Sequence, residues 1–185
     1  KKIYIFARLK ILEMKSDSKY KIEFAGLKIG SHQFNFNADK KFFDRFNFSD
    51  FNDVTVNIDI ELTKKSTLLE LDFVLAGAVN LNCDLTNEPF DFQIKHKSSL
   101  VVKFGQDYND EDDEILVLPH GEHKLYVDQY IFELIVLSLP PKRIHPGVED
   151  GSLKSEILDI LEDLKPKENS NLADPRWEQL KSLKK

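Results

Sequence analysis

Between residues 54 and 104 the side chains alternate between apolar and polar with a period of two. The segment Val54–Leu62 does so without a break, apolar at even positions and polar at odd ones. That pattern belongs to a strand with one face in a core and the other in water. The period resumes through Leu69, Leu71, Phe73 and Leu75, then through Val79, Leu81, Cys83 and Leu85. It returns in Phe90, Phe92 and Ile94, and again in Leu100, Val102 and Phe104. Interruptions at Lys64–Ser66, Ala76–Ala78, Thr86–Pro89 and Lys95–Lys97 predict turns, and short connections between alternating strands predict an antiparallel meander. Two further strands are predicted around a Gly26–Gly30 turn and one more at Ile115–Leu118, after which Lys124–Val127 leads into the next element.

From Asp128 to Leu139 the pattern changes. Tyr130, Ile131, Phe132, Leu134, Ile135, Val136, Leu137 and Leu139 leave almost no polar face, which predicts a helix packed into the core. Asp128 is placed to cap it, and Pro140-Pro141 to end it. A basic, proline-bracketed exit follows, Lys142-Arg143-Ile144-His145-Pro146. Ser152 is placed to cap a second helix with an apolar stripe of Leu153, Ile157, Ile160, Leu161 and Leu164. Residues 166–173 have linker composition, and 174–185 predict a short tail helix with Trp177, Leu180 and Leu183 on one face. The expected fold is therefore α+β. It comprises an antiparallel sheet of six to eight strands, with room to curl into a split barrel, one packed core helix and a helical C-terminal tail. Residues 14–165 form its single domain.

Composition narrows the chemistry. The chain has 185 residues, 31% of them charged, and a formal net charge of −6. This is a poor balance for broad, non-specific nucleic-acid binding, which depends on neutralising phosphates. The single cysteine excludes an internal disulfide or a cysteine-rich zinc site and suits a reducing compartment. No apolar run is long enough to span a bilayer. Residues 1–13 are basic and unlike the rest. Met14, the only methionine, reads as a natural start, with the upstream piece a non-native extension; the alternative is a genuine first strand or helix.

Candidate chemical groups are few. Phe42, Phe43 and Phe46 fit one helical turn and, with Lys41 and Arg45, could stack on bases; as an edge of the core they need no partner. The acidic run Asp107–Glu114 lacks the central glycine and the terminal glutamate of a calcium loop. His120 and His123 are spaced like metal ligands, but Gly121 interrupts them and no third ligand follows. Cys83 falls on an inward strand position, which favours a structural thiol. No catalytic constellation, cofactor or metal is predicted.

Four separated blocks resemble a known family: Val79–Asp91, Asp112–Glu122, Ile135–Gly147 and Asp174–Lys181. In this order they resemble the YceD family, named for large ribosomal RNA subunit accumulation, in the form found in Bacteroidetes-type bacteria. The matching positions include Cys83, Asp84, Leu85, Asp113, Glu114, Pro140, Pro141, Pro146, Asp174, Pro175, Trp177 and Leu180. Many relatives carry a second cysteine where this chain has Thr86, so a redox or zinc role for the pair is not carried over. The resemblance implies a cytoplasmic, non-enzymatic factor supporting large-subunit rRNA accumulation and ribosome biogenesis. The partner expected is a ribosomal protein or assembly factor of the large subunit, with rRNA as a second candidate and no membrane. Lys142, Arg143, His145, Arg176 and Trp177 are the expected docking residues. The alternative is a metal-dependent rRNA-processing nuclease or nuclease cofactor, with the Asp107–Glu114 acids holding magnesium.

Overall fold

A computed structural model describes residues 19–112 and 114–164 of the chain. The expectations for residues 1–13, Asp113 and the 166–185 linker and tail lie outside these residues. The chain divides into two compact units, residues 1–145 and 146–185.

The first unit is α+β. Five strands form one sheet in the order β2-β3-β4-β5-β6: Gly30–Asp39, Asp53–Lys64, Leu68–Asn82, Pro89–Gly105 and Ile115–Pro119. A second sheet pairs β1 (Lys21–Ile22) antiparallel with β7 (Leu125–Tyr126). The described strands form no closed barrel. The Val54–Leu62 alternation is realised fully: Val54, Val56, Ile58, Ile60 and Leu62 are buried, and Thr55, Asn57, Asp59 and Glu61 are exposed. Burying each such side chain contributes about 1.5–3 kcal/mol, and a slip of one residue would put the whole set in water.

Two predicted turns are absent. β4 runs unbroken through Ala76-Gly77-Ala78, and β5 through Lys95-His96-Lys97. Gly77 is needed for a different reason. A Cβ there would stand 2.2 Å from the Thr55 carbonyl oxygen and 2.6 Å from the Val56 Cα, so the glycine lets the backbone of the paired strand β3 approach where a side chain would collide. At Lys95–Lys97 the period of two continues, with both lysines exposed and His96 half-buried on the inner side.

The sheet is also not purely antiparallel. β6 lies parallel to the last residues of β5, with Val101 opposite Ile115 and Gly105 opposite Pro119. Parallel neighbours ordinarily need a long crossover. Here the loop has only to carry the chain back along this short overlap, roughly 17 Å of strand. Within that loop Asn109 exchanges both backbone hydrogen bonds with Val117, at 3.0 and 2.8 Å, and so covers part of the outer edge of β6.

Helices and the small sheet cover the inner face. The short helix α1 (Lys40–Asp44) is capped by Asp39, whose carboxylate accepts from the Phe42 N–H at 2.9 Å. Helix α2 spans Asp128–Leu137. Its cap position is Val127, not Asp128, and no side chain caps it. Asp128 is instead the first helical residue, buried, facing Arg45 at 3.5 Å. Nor is α2 enveloped: Ile131 and Ile135 are its buried apolar contacts, while Leu137 is 78% exposed. The phenylalanines of α1 join it to α2. Phe46 and Phe132 stack at 4.4 Å, and Phe42, Phe43 and Phe51 are buried. These rings take one another as stacking partners, as an edge of the core would. At the far end of β3, the Lys64 ammonium donates to the carbonyls of Phe24, Ala25 and Leu27 at 2.9, 3.2 and 2.9 Å, pinning the first turn to the sheet.

The second unit, as far as it is described, holds α3 (Pro146–Glu149) and α4 (Glu156–Asp163). α4 begins after Ser155, later than the Ser152 start predicted, so Leu153 lies outside it. Ile157, Ile160, Leu161 and Leu164 remain 39–72% exposed.

Candidate functional site

At one end of the sheet, residues far apart in sequence meet around the turn that joins β4 to β5. Cys83 follows the last residue of β4, and its N–H donates to the Glu88 carbonyl at 2.8 Å; the Asn87 N–H donates back to the Cys83 carbonyl at 2.8 Å. Closing so tight a turn requires a left-handed residue. Asn87 takes that place with φ 58°, a region asparagine tolerates well.

The turn is locked to the exit from α2. The Asp84 N–H donates to the Arg143 carbonyl at 2.7 Å, and the Arg143 N–H donates to the Asp84 carboxylate at 2.7 Å. Two residues on, the His145 N–H donates to the Cys83 sulfur at 3.3 Å, and the His145 ring packs edge-on against Phe90 at 5.6 Å. The Arg143 guanidinium lies 3.6 Å from the Asp50 carboxylate. A neighbouring polar cluster holds the base of the turn. The Asn52 side-chain amide donates to Asn80 at 3.0 Å and to Asn82 at 2.6 Å, and Asn80 donates to Asp91 at 2.7 Å.

Burial pushes the Cys83 thiol up, but donors outweigh it: the Thr86 hydroxyl and the N–H groups of His145, Thr86 and Leu85 point at the sulfur and hold it below its ordinary value. Hydrogen bonds favour the thiolate by supplying the solvation it loses on burial. Thr86, itself buried, thus keeps a polar hand on Cys83 from the position where relatives carry a second cysteine. Cys83 is a buried free thiol, and the hydrogen bonds of the turn converge on it.

Of the docking residues expected from sequence, Arg143 and His145 are engaged within the chain, and Lys142 is exposed beside them. Arg176 and Trp177 lie outside the described residues. Leu85 is exposed at the tip of the turn. The sequence reading did not single out Asp50, Asn52, Asn80 or Asn82, because nothing but their shared strand end connects them.

The other acidic and histidine candidates lie elsewhere. In the 107–114 loop, Asn109 accepts from the Glu111 N–H at 2.8 Å and Asp112 from the Glu114 N–H at 2.9 Å, each closing a local turn. Burial raises the pKa of Tyr108, helped by Tyr130 and Asp110; burial also raises that of Tyr130, helped by Asp110 and Glu133. His120 donates its N–H to the Gly105 carbonyl at 2.9 Å, and the His123 carbonyl accepts from Ala25 at 3.5 Å, both through backbone. Among the described residues no helix is long and apolar enough to cross a membrane.

These features define an α+β sheet protein whose polar end is closed by a cysteine turn clasped to a proline-bracketed basic segment. The model of the YceD family, described as large ribosomal RNA subunit accumulation protein YceD, matches residues 71–184, more than half of the chain, and the chain belongs to that family. Membership implies a role in accumulation of large-subunit rRNA. No curated protein and no solved structure matches the chain.

Proposed function

We propose that the protein acts as a non-enzymatic cytoplasmic factor in large-subunit ribosome biogenesis, holding a protein component of the large subunit. The observation that carries this reading is the clasp. Two of the blocks that resemble the family, Val79–Asp91 and Ile135–Gly147, contain the residues that grip one another through Asp84, Arg143, Cys83 and His145. A clasp of backbone and charge with no reactive group aimed outward suits a surface that must keep its shape. Lys142 and Leu85 stand exposed on it. Arg143 and His145 act as positioning residues, while Arg176 and Trp177 offer a second contact from the tail. The net charge of −6 favours a basic protein over extended RNA contact. No observation favours the nuclease reading; in the described part of the 107–114 loop the Asp112 carboxylate closes a local turn and Asp110 accepts from the Tyr108 hydroxyl.

The test is the ratio of large- to small-subunit rRNA in a deletion strain. The ratio is expected to fall on deletion and to be restored by the wild-type chain. Asp84→Ala/Arg143→Ala should restore it poorly, as should Lys142→Glu. A ratio unaffected by deletion would sink the reading.

A further inference from the structure

The two outer edges of the five-stranded sheet differ. β6 has Asn109 bridged to its outer side, whereas among the described residues the backbone of β2 pairs with β3 alone. Among the described residues, the one side chain bonded to a backbone group of the strand is Tyr20, whose hydroxyl donates to the Asn37 carbonyl at 2.7 Å. From Gly30 to Phe36 β2 carries no proline, lysine or other charged residue, the usual means of keeping an edge from pairing. Such an edge is a template for another strand.

A second observation lies beside it. A shallow hollow of about 310 Å³ opens on the wet face, and Gln33, Asn35, Asp59, Glu61, Asp72 and Val74 contribute to its lining. Glu61 sits directly opposite Asp72 across the β3–β4 pair, an arrangement of like charges that costs stability. None of the ion pairs among the described residues includes Asp59, Glu61 or Asp72. Asp59 accepts from Asn35, and Glu61 from Ser31, both neutral groups on the edge strand. The negative charge is therefore left standing next to the free edge.

We infer that β2 receives an extended, lysine- or arginine-rich protein segment, which adds a strand to the sheet and reaches over Gln33 and Asn35 to Asp59 and Glu61, with Asp72 behind them adding to the negative field. Side chains on alternate residues of an added strand would lie on this wet face. Its backbone would run two strand spacings, roughly 10 Å, from that of β3, a gap that a long basic side chain and a carboxylate can bridge together. Backbone pairing supplies affinity and the acids select the charge. A nucleic acid is disfavoured by the same carboxylates. The inference rests on the proposed function only for the identity of the protein that supplies the segment.

The experiment uses the full chain and a labelled eight-residue peptide of alternating lysine and threonine. Fluorescence anisotropy should show saturable binding that weakens with salt. Asp59→Asn/Glu61→Gln should weaken it by roughly tenfold, the effect of removing two exposed ion pairs, while leaving the fold intact because it relieves the Glu61–Asp72 repulsion. Backbone amides within Ser31–Phe36 should gain protection from hydrogen exchange when peptide is bound. Absence of binding, or binding indifferent to the double variant, would overturn the inference. So would equal binding of a peptide with the same composition arranged as one lysine block and one threonine block. A concentration-dependent dimer abolished by Gln33→Lys/Asn35→Lys would also overturn it, by making a second copy the occupant. In the deletion strain, an unchanged rRNA ratio would remove the ribosomal reading and leave the peptide result standing. Failure of the peptide alone would remove this inference and leave the ribosomal reading.

Discussion

The clasped cysteine turn and the bare β2 edge are opposite solutions to the same problem of finishing a sheet. At the turn, Cys83 and Asp84 find partners brought from a distant part of the chain, and Arg143 has Asp50 beside it. At the edge, among the described residues, β2 pairs on one side only and Asp59, Glu61 and Asp72 form no ion pair. The comparison teaches that rigidity and availability are separated in space. Charges at the turn are satisfied, so removing one should cost stability; charges at the edge are strained, so removing one should add to it.

Gly77 lies on β4 between these regions, and its replacement should have the largest effect. Gly77→Ala drives a methyl group into the β3 backbone. It is expected to cost about 3 kcal/mol or more, read as a lowered urea midpoint, and to loosen both regions together. If instead the protein tolerated alanine there, β3 and β4 would not approach as closely as described.

Next comes Asp84→Ala, which leaves the Arg143 N–H without its carboxylate. Asp84 is exposed, so a loss of about 1 kcal/mol is expected, less than a buried charged hydrogen bond would give. Thr86→Val should cost a similar ~1 kcal/mol. It should also raise the pH at which Cys83 becomes reactive to an alkylating agent, because the hydroxyl no longer offsets burial of the sulfur. A reactivity profile unchanged by Thr86→Val would mean that the backbone donors alone hold the thiol down.

Glu61→Gln should act in the opposite direction, stabilising by a few tenths of a kcal/mol as its repulsion with Asp72 is relieved. A loss of stability from this substitution would break the contrast. The subtlest effect concerns pH. Tyr108 and Tyr130 have folded-state pKa values raised above the ordinary 10.0, so the folded chain holds their protons more tightly than the unfolded chain does. Their contribution is complete below pH 10 and is lost as pH rises through the folded values. Alkaline unfolding should therefore begin above about pH 10 and be delayed in Tyr108→Phe/Tyr130→Phe, as monitored by circular dichroism.

Much of this architecture is legible in the sequence, because burial has a period. Val54–Leu62 announces its own faces, and the phenylalanines of α1 announce a helical turn. What misleads is local chemistry with a remote cause. Ala76-Gly77-Ala78 looks like a bend, yet its glycine answers to Thr55 and Val56 on another strand. The direction of β6 depends on how far its loop must travel, which composition does not record. α2 is apolar on nearly every side, yet among its residues only Asp128, Ile131 and Ile135 are buried. At the site, the Pro-bracketed basic segment draws attention by itself. Its grip on Cys83 and Asp84 does not, since nothing periodic links residues about sixty positions apart.

That separation has a consequence in time. The Arg143 partner of Asp84 lies 59 residues further along the chain. At ribosomal synthesis speeds of about 5–20 residues per second, the nascent turn waits roughly 3–12 s for its clasp to be made. During that interval the β3–β4 hairpin can already be paired, while Cys83 and Asp84 lack the donors that later hold them. The clasp is thus a late event of birth, and it closes only after the whole sheet has left the machine that made it.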